Sequence, residues 1–300
     1  MDKKSVVVIV GPTGIGKTSV TLSLAEKYNS PIISADSRQV YREIKIGTAA
    51  PTIEEMERVP HYLVGTKSIF DYYSAYEFEQ DALKTVSKLF ENNDLLFMTG
   101  GSMLYVDAFC NGIDALPTVD KELRDEVARE YEENGLEYIQ QKLKLLDPEY
   151  YKQVDLKNHK RIIYAIEICL MTGTPYSQLR TNPKAVRPFN IIKVGLNMDR
   201  QKLYDRINQR VEIMFEQGLL EEATEMYKHR ELNSLNTVGY KEIFAHFDGE
   251  YDLERAKELI KRNSRHYAKK QLSWFNRDKS ISWYHPLDVD KIKEFIDSTL

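Results

Sequence analysis

"GPTGIGKTS", residues 11–19, decides the fold. It follows Ser5–Val10 (SVVVIV), a continuous apolar run rich in β-branched residues that reads as a strand buried on both faces of a parallel sheet. Behind it Thr18–Tyr28 reads as a helix. Gly11-x-x-x-x-Gly16-Lys17-Thr18 is therefore a complete phosphate-loop pattern in its confirming context, between strand and helix. Glycines let backbone N–H groups close around phosphate oxygens, and the helix N-terminus adds positive potential. Lys17 brings a point charge and Thr18 a hydroxyl for Mg²⁺. The pattern does not say whether a phosphoryl group moves or a diphosphate is only held.

Outward from the loop, strands and helices alternate. Pro31–Ser34 and Leu95–Thr99 read as further strands, Tyr62–Thr66 as a third, and Ser74–Glu91 as an amphipathic helix. This is the pattern of a doubly wound α/β sheet. From Asp120 to Leu179 the pattern is helical throughout, broken at Gly135. Asn182–Pro188 reads as a return linker to another strand, Ile191–Leu196. The expected organisation is a P-loop NTPase-like α/β core, residues 1–116 and 186–300, with an all-helical insertion domain at 117–185.

Composition bounds the rest. The 300 residues carry 42% hydrophobic and 29% charged residues and a net charge of -4, so a nucleic-acid partner would need a local basic patch. Cys110 and Cys169 sit in apolar runs and read as buried, reduced thiols. No apolar run reaches the ~18 residues of a membrane span, and the N-terminus lacks a signal-peptide pattern. A cytoplasmic protein is expected, and a monomer, since no heptad seam appears.

Three features bear on chemistry. Asp36, in SADSRQVY, follows the second strand; it is either a base or metal-coordinating group in the sheet crevice, or a turn aspartate. Leu95–Thr99 ends without the acid that NTPases place there for Mg²⁺, which counts against a hydrolase. Arg206 and Arg210 share a helical face, and Glu254–Lys279 interleaves cations with Tyr267, Trp274 and Phe275. That segment suits an RNA backbone with stacked bases, or a solvated helix with an aromatic core stripe.

Taken together, GPTGIGKT, SADSRQVY with IGTAAP, TGGSMLYVDA, LPTVDKELR, HKRIIYAIEI, YDRINQRVEIMFEQGLLEE, TVGYKEI and YAKKQLSWFNRD resemble the tRNA dimethylallyltransferases (tRNA isopentenyltransferases), in that family's order from about Val6 to Trp283. The resemblance implies transfer of a dimethylallyl group from dimethylallyl diphosphate to N6 of the adenine 3′-adjacent to the anticodon of tRNA. The loop would then grip a diphosphate that leaves intact. It implies catalytic roles for Asp36, Thr13 and Arg210, and diphosphate or nucleotide binding by Gly11, Pro12, Thr13, Gly14, Ile15, Gly16, Lys17 and Thr18, with Mg²⁺ near Thr18. ATP occupying the same loop would compete with the donor. The implied face for the tRNA anticodon stem-loop comprises Asp36, Ser37, Arg38, Gln39 and Ser102, then Arg124, Lys160, Arg161, Ile162, Ile163 and Tyr164, and Asn236, Thr237, Val238, Gly239, Tyr240 and Lys241. Ser102, Tyr164 and Asn236 depart from the family's usual threonine, arginine, and glutamine or arginine. A small-molecule kinase, an isopentenyltransferase of free adenine nucleotides and a non-catalytic RNA-binding module are the competing readings.

Overall fold

A computed structural model describes residues 4–181 and 185–300; Asn182–Lys184 of the expected return linker lie outside the described residues. The chain divides into two compact units, Met1–Cys110 with Val186–Leu300, and Asn111–Ala185.

The first unit is built on six parallel strands: β1 (Ser5–Val10), β2 (Ile32–Ser34), β3 (His61–Tyr62), β4 (Leu95–Gly100), β5 (Asn190–Leu196) and β6 (Ser282–Tyr284). Their order is β3-β2-β4-β1-β5-β6, so the strand that feeds the phosphate loop is central, between β4 and β5. Its apolar run has the expected cause. Val6, Val8 and Val10 pack into one core cluster, and Val7 and Ile9 into the other. β3 is shorter than the Tyr62–Thr66 expectation because Leu63 adopts a positive φ of 62° and turns the chain out of the sheet.

In this unit the helices are α1 (Lys17–Lys27), α2 (Ile53–Arg58), α3 (Ala75–Leu89) and α4 (Met103–Asn111). The second unit, among its described residues, is helical: α5 (Lys121–Leu146), α6 (Pro148–Gln153), α7 (His159–Thr172) and α8 (Tyr176–Leu179). It has a core of its own around Val127, Ile139, Leu143 and Ile166. Gly135, at φ 79° and ψ -173°, interrupts α5 where the sequence reads as broken. The first unit closes with α9 (Arg200–Glu216), α10 (Leu219–Met226), α11 (Tyr240–Phe247), α12 (Leu253–Phe275) and α13 (Val289–Thr299). Both cysteines are buried free thiols, and burial pushes Cys110 up to about 12.

Candidate active site

The phosphate loop sits at the carboxyl ends of β1 and β4. Gly16 caps α1 in the left-handed region, φ 100°, with no side-chain cap, so the first amides of the helix stay open to an anion. Gly14 is also left-handed, and a Cβ there would lie 2.7 Å from Ile207 Cγ1 on α9. Ile15 is wholly buried and Pro12 has no N–H, so these two shape the loop rather than offering it donors. Lys17 Nζ folds back onto the carbonyls of Gly11 and Pro12, at 3.0 and 2.9 Å. Burial lowers its pKa from 10.5 to about 8; Asp36 opposes that shift and Arg210 adds to it.

Two cavities meet above the loop. The smaller, about 110 Å³, is lined by Lys17, Thr18, Gln39 and Thr99 among others. The larger, about 330 Å³, is lined by Ser37, Arg38, Ser102, Asn236 and Lys241 among others. Thr13, Asp36, Thr48, Arg210 and Tyr267 line both. Asp36 is thus at a junction, facing the loop on one side and the larger cavity on the other. It also does the work of a turn residue: its Oδ1 accepts from the N–H groups of Arg38 and Gln39, at 2.9 and 3.3 Å. The turn is formed, and the same side chain also lines the crevice above the loop. Arg210 is lowered by burial, with Asp36 opposing, and the Tyr267 hydroxyl is pushed up to about 12 by burial and then by Asp36.

The residues expected at an RNA face separate into several situations. Ser37, Arg38, Ser102, Asn236, Thr237, Val238, Gly239 and Lys241 line the larger cavity, together with Asp36. Ser102 Oγ accepts from Ser37 N at 2.7 Å. The Arg38 guanidinium is already engaged, donating to the carbonyls of Asn233 and Ser234, both at 3.0 Å. Gln39 lines the smaller cavity and ties Ser34 Oγ to the carbonyls of Thr48 and Ala49. The side chains of Tyr240 and Ile162 are wholly buried in their units' cores and line neither cavity. The Tyr240 hydroxyl donates to Glu222 instead. In the helical unit Lys160 and Arg161 are exposed, and Ile163 and Tyr164 are half-buried. Tyr164 stands edge-on to Tyr176, with ring centroids 5.9 Å apart. Arg124 lies 4.0 Å from the buried carboxylate of Glu167, whose pKa burial raises.

Two supporting residues, Gln271 and Glu222, escaped the sequence reading, and a third, Arg206, is read there only as sharing a helical face with Arg210. Gln271, on α12 and 1% exposed, accepts from Thr13 N at 2.8 Å and donates to Gly101 O at 2.9 Å, joining the phosphate loop to the turn after β4. Arg206 Nε donates to Gly14 O at 3.0 Å from the outer side of the loop. Glu222, on α10, accepts from three successive amides, Lys45 at 2.8 Å and Ile46 and Gly47 at 2.9 Å. The only signal for Gln271 is a polar residue at a core position of an amphipathic helix; for Glu222 there is none locally.

Comparison with known proteins agrees with this geometry. The IPP transferase family model matches residues 39–278. The tRNA dimethylallyltransferase 1 of Bacteroides fragilis (strain YCH46) is 54% identical, with 100% of each chain covered. The tRNA dimethylallyltransferase 2 of Parabacteroides distasonis is 57% identical over 96% of each. Among solved structures, the tRNA isopentenylpyrophosphate transferase of Bacillus halodurans is 36% identical over 99% of this chain and 96% of its own, with a TM-score of 0.72. A phosphate-loop cavity that shares a wall with a second, larger one, and relatives matched from end to end, lead to one conclusion: the chain belongs to the IPP transferase family, that of the tRNA dimethylallyltransferases.

Proposed function

We propose that the protein transfers the dimethylallyl group of dimethylallyl diphosphate to N6 of the adenine 3′-adjacent to the anticodon in tRNA, releasing diphosphate. The observation that carries this reading is the junction at Thr13, Asp36 and Arg210, where a phosphate-loop cavity and a larger polar cavity share a wall. A kinase would need a phosphoryl acceptor beside the loop; here the neighbouring space is large enough to admit an extruded base.

The chemistry follows from charge. The N6 lone pair is delocalised into the ring, so the amine is a weak nucleophile. Asp36 accepts its proton as the C–N bond forms. The allylic C–O bond breaks at the same centre, and its electron pair leaves with the diphosphate. Lys17, Arg210 and the open amides at the start of α1 meet the charge that builds there. Thr13, whose amide is held by Gln271, sits beside the reacting bond at the junction. The donor set suits magnesium. Thr18 offers its hydroxyl oxygen in the smaller cavity, and among the described residues no group of three His, Cys, Asp or Glu could hold a metal alone. Magnesium keeps its waters and takes phosphate oxygens with one or two protein ligands. Bound there it would neutralise the leaving diphosphate.

On this reading Lys160 and Arg161, with Arg124, contact tRNA phosphates from the helical unit. Among the described residues no helix is long and apolar enough to cross a membrane. A monomer in the cytoplasm is the state proposed. The test is prenylation of bulk tRNA by dimethylallyl diphosphate and Mg²⁺ in ATP-free buffer, with AMP as competing acceptor. Labelled tRNA without ATP supports the reading; a requirement for ATP, or label in AMP alone, refutes it.

A further inference from the structure

Among the described residues, one buried side-chain polar atom has no hydrogen-bond partner: Thr99 Oγ1. The absence is specific to the side chain, because Thr99 O accepts from Ala35 N at 2.7 Å. Threonines in helices relieve such a hydroxyl by bonding back one turn, as Thr21 does to Lys17 O and Thr85 to Asp81 O, at 2.8 and 2.7 Å. A strand offers no such carbonyl. Native structures leave few buried polar atoms unpaired, and an unpaired one at a ligand cavity points to a partner that arrives with the ligand.

The position says which ligand. Thr99 is the penultimate residue of β4, paired in register with Ile9 on β1 and Ser34 on β2. Leu95 and Phe97 pack in the cluster on the α1 side of the sheet, and alternation puts Thr99 on that same face. There it lines the smaller cavity with Lys17 and Thr18. Enzymes that move phosphoryl groups place an acid at this strand end to hold magnesium. An acid here would face a diphosphate on which negative charge is building. A hydroxyl can hydrogen-bond a metal-bound water and add no charge of its own.

We propose that Thr99 Oγ1 is a positioning group of the magnesium diphosphate site, accepting a hydrogen bond from a water of the hydrated ion. This rests on the reading of the smaller cavity as a diphosphate site. The test uses Thr99→Val, which keeps the β-branched shape and removes the hydroxyl. Titration calorimetry measures the affinity of inorganic diphosphate with Mg²⁺ and again in EDTA; thermal unfolding is followed without ligand. The expected result is about tenfold weaker binding with Mg²⁺, an unchanged affinity in EDTA, and unliganded stability equal to or above wild type because an unpaired group has gone. Thr99→Ser should restore most of the magnesium-dependent affinity. Equal affinity of Thr99→Val and wild type with Mg²⁺ overturns the proposal, as does the same loss in EDTA or a fall in unliganded stability. If wild type itself fails to bind magnesium diphosphate, the diphosphate reading falls first and takes this assignment with it.

Discussion

Lys17 is held at a cost to the unliganded fold that pH can expose. Its ammonium is buried against the carbonyls of Gly11 and Pro12, and its pKa is lowered from 10.5 to about 8, by burial above all. The unfolded chain therefore binds this proton more tightly than the folded one. Between about pH 8 and 10.5 the unfolded state carries more protons at this site, and stability rises with pH across that window. A group titrating at about 8 in the fold and 10.5 unfolded makes wild type gain about 2 kcal/mol between pH 7.5 and 9.5, at about 1.4 kcal/mol per pKa unit. Lys17→Met cannot titrate and should lack that gain. The assay is urea unfolding of both proteins at the two pH values, without ligand and then with saturating magnesium diphosphate. Bound diphosphate restores the charge on Lys17, so it should abolish the difference in pH dependence. Parallel pH profiles for wild type and variant without ligand would refute the reasoning, whatever their absolute stabilities. The variant should also lose donor affinity, since the same charge meets the ground-state diphosphate.

Asp36→Asn should reduce kcat by about 10²–10⁴ while donor affinity stays within a few-fold, because a proton acceptor acts on the chemical step; single-turnover prenylation with a separate binding titration checks it, and activity above a tenth of wild type would leave Asp36 only its turn. Gln271→Met leaves a buried Thr13 N–H and Gly101 carbonyl unpaired, and should cost about 2–4 kcal/mol of stability, lowering the midpoint of thermal unfolding by about 5–12 °C; an unchanged midpoint would contradict the bridging role. Charge reversal at Lys160 should flatten the dependence of log tRNA affinity on log salt by about one unit; filter binding from 50 to 200 mM salt measures it, and an unaltered slope returns Lys160 to plain surface.

Long-range order was legible where local chemistry is strong. The SVVVIV run announces a strand with two buried faces, and the loop after it names its own ligand class, so the centre of the sheet and the phosphate site both follow from fifteen residues. β6 escaped because Ser282–Tyr284 is three residues at a sheet edge, half-buried throughout and without periodicity. Tyr240 entered the expected RNA face through the family resemblance, and only the packed fold shows its hydroxyl turned inward to Glu222. Gln271 and Thr99 are polar residues in apolar surroundings, and their meaning lies in partners 258 residues away, or absent until a ligand comes.

Glu222 carries a consequence for the kinetics of encounter. One carboxylate from α10 holds the amides of Lys45, Ile46 and Gly47, and Tyr240 closes over it, so close that a Cβ on Gly47 would lie 2.5 Å from the tyrosine hydroxyl oxygen. The segment that follows, with Thr48 in both cavities, is irregular backbone, which in a free loop would have to be ordered by each incoming substrate. Here that entropy is given up during folding. The wall between the two cavities is preset, so association rates should reflect diffusion and charge rather than a loop that must close first.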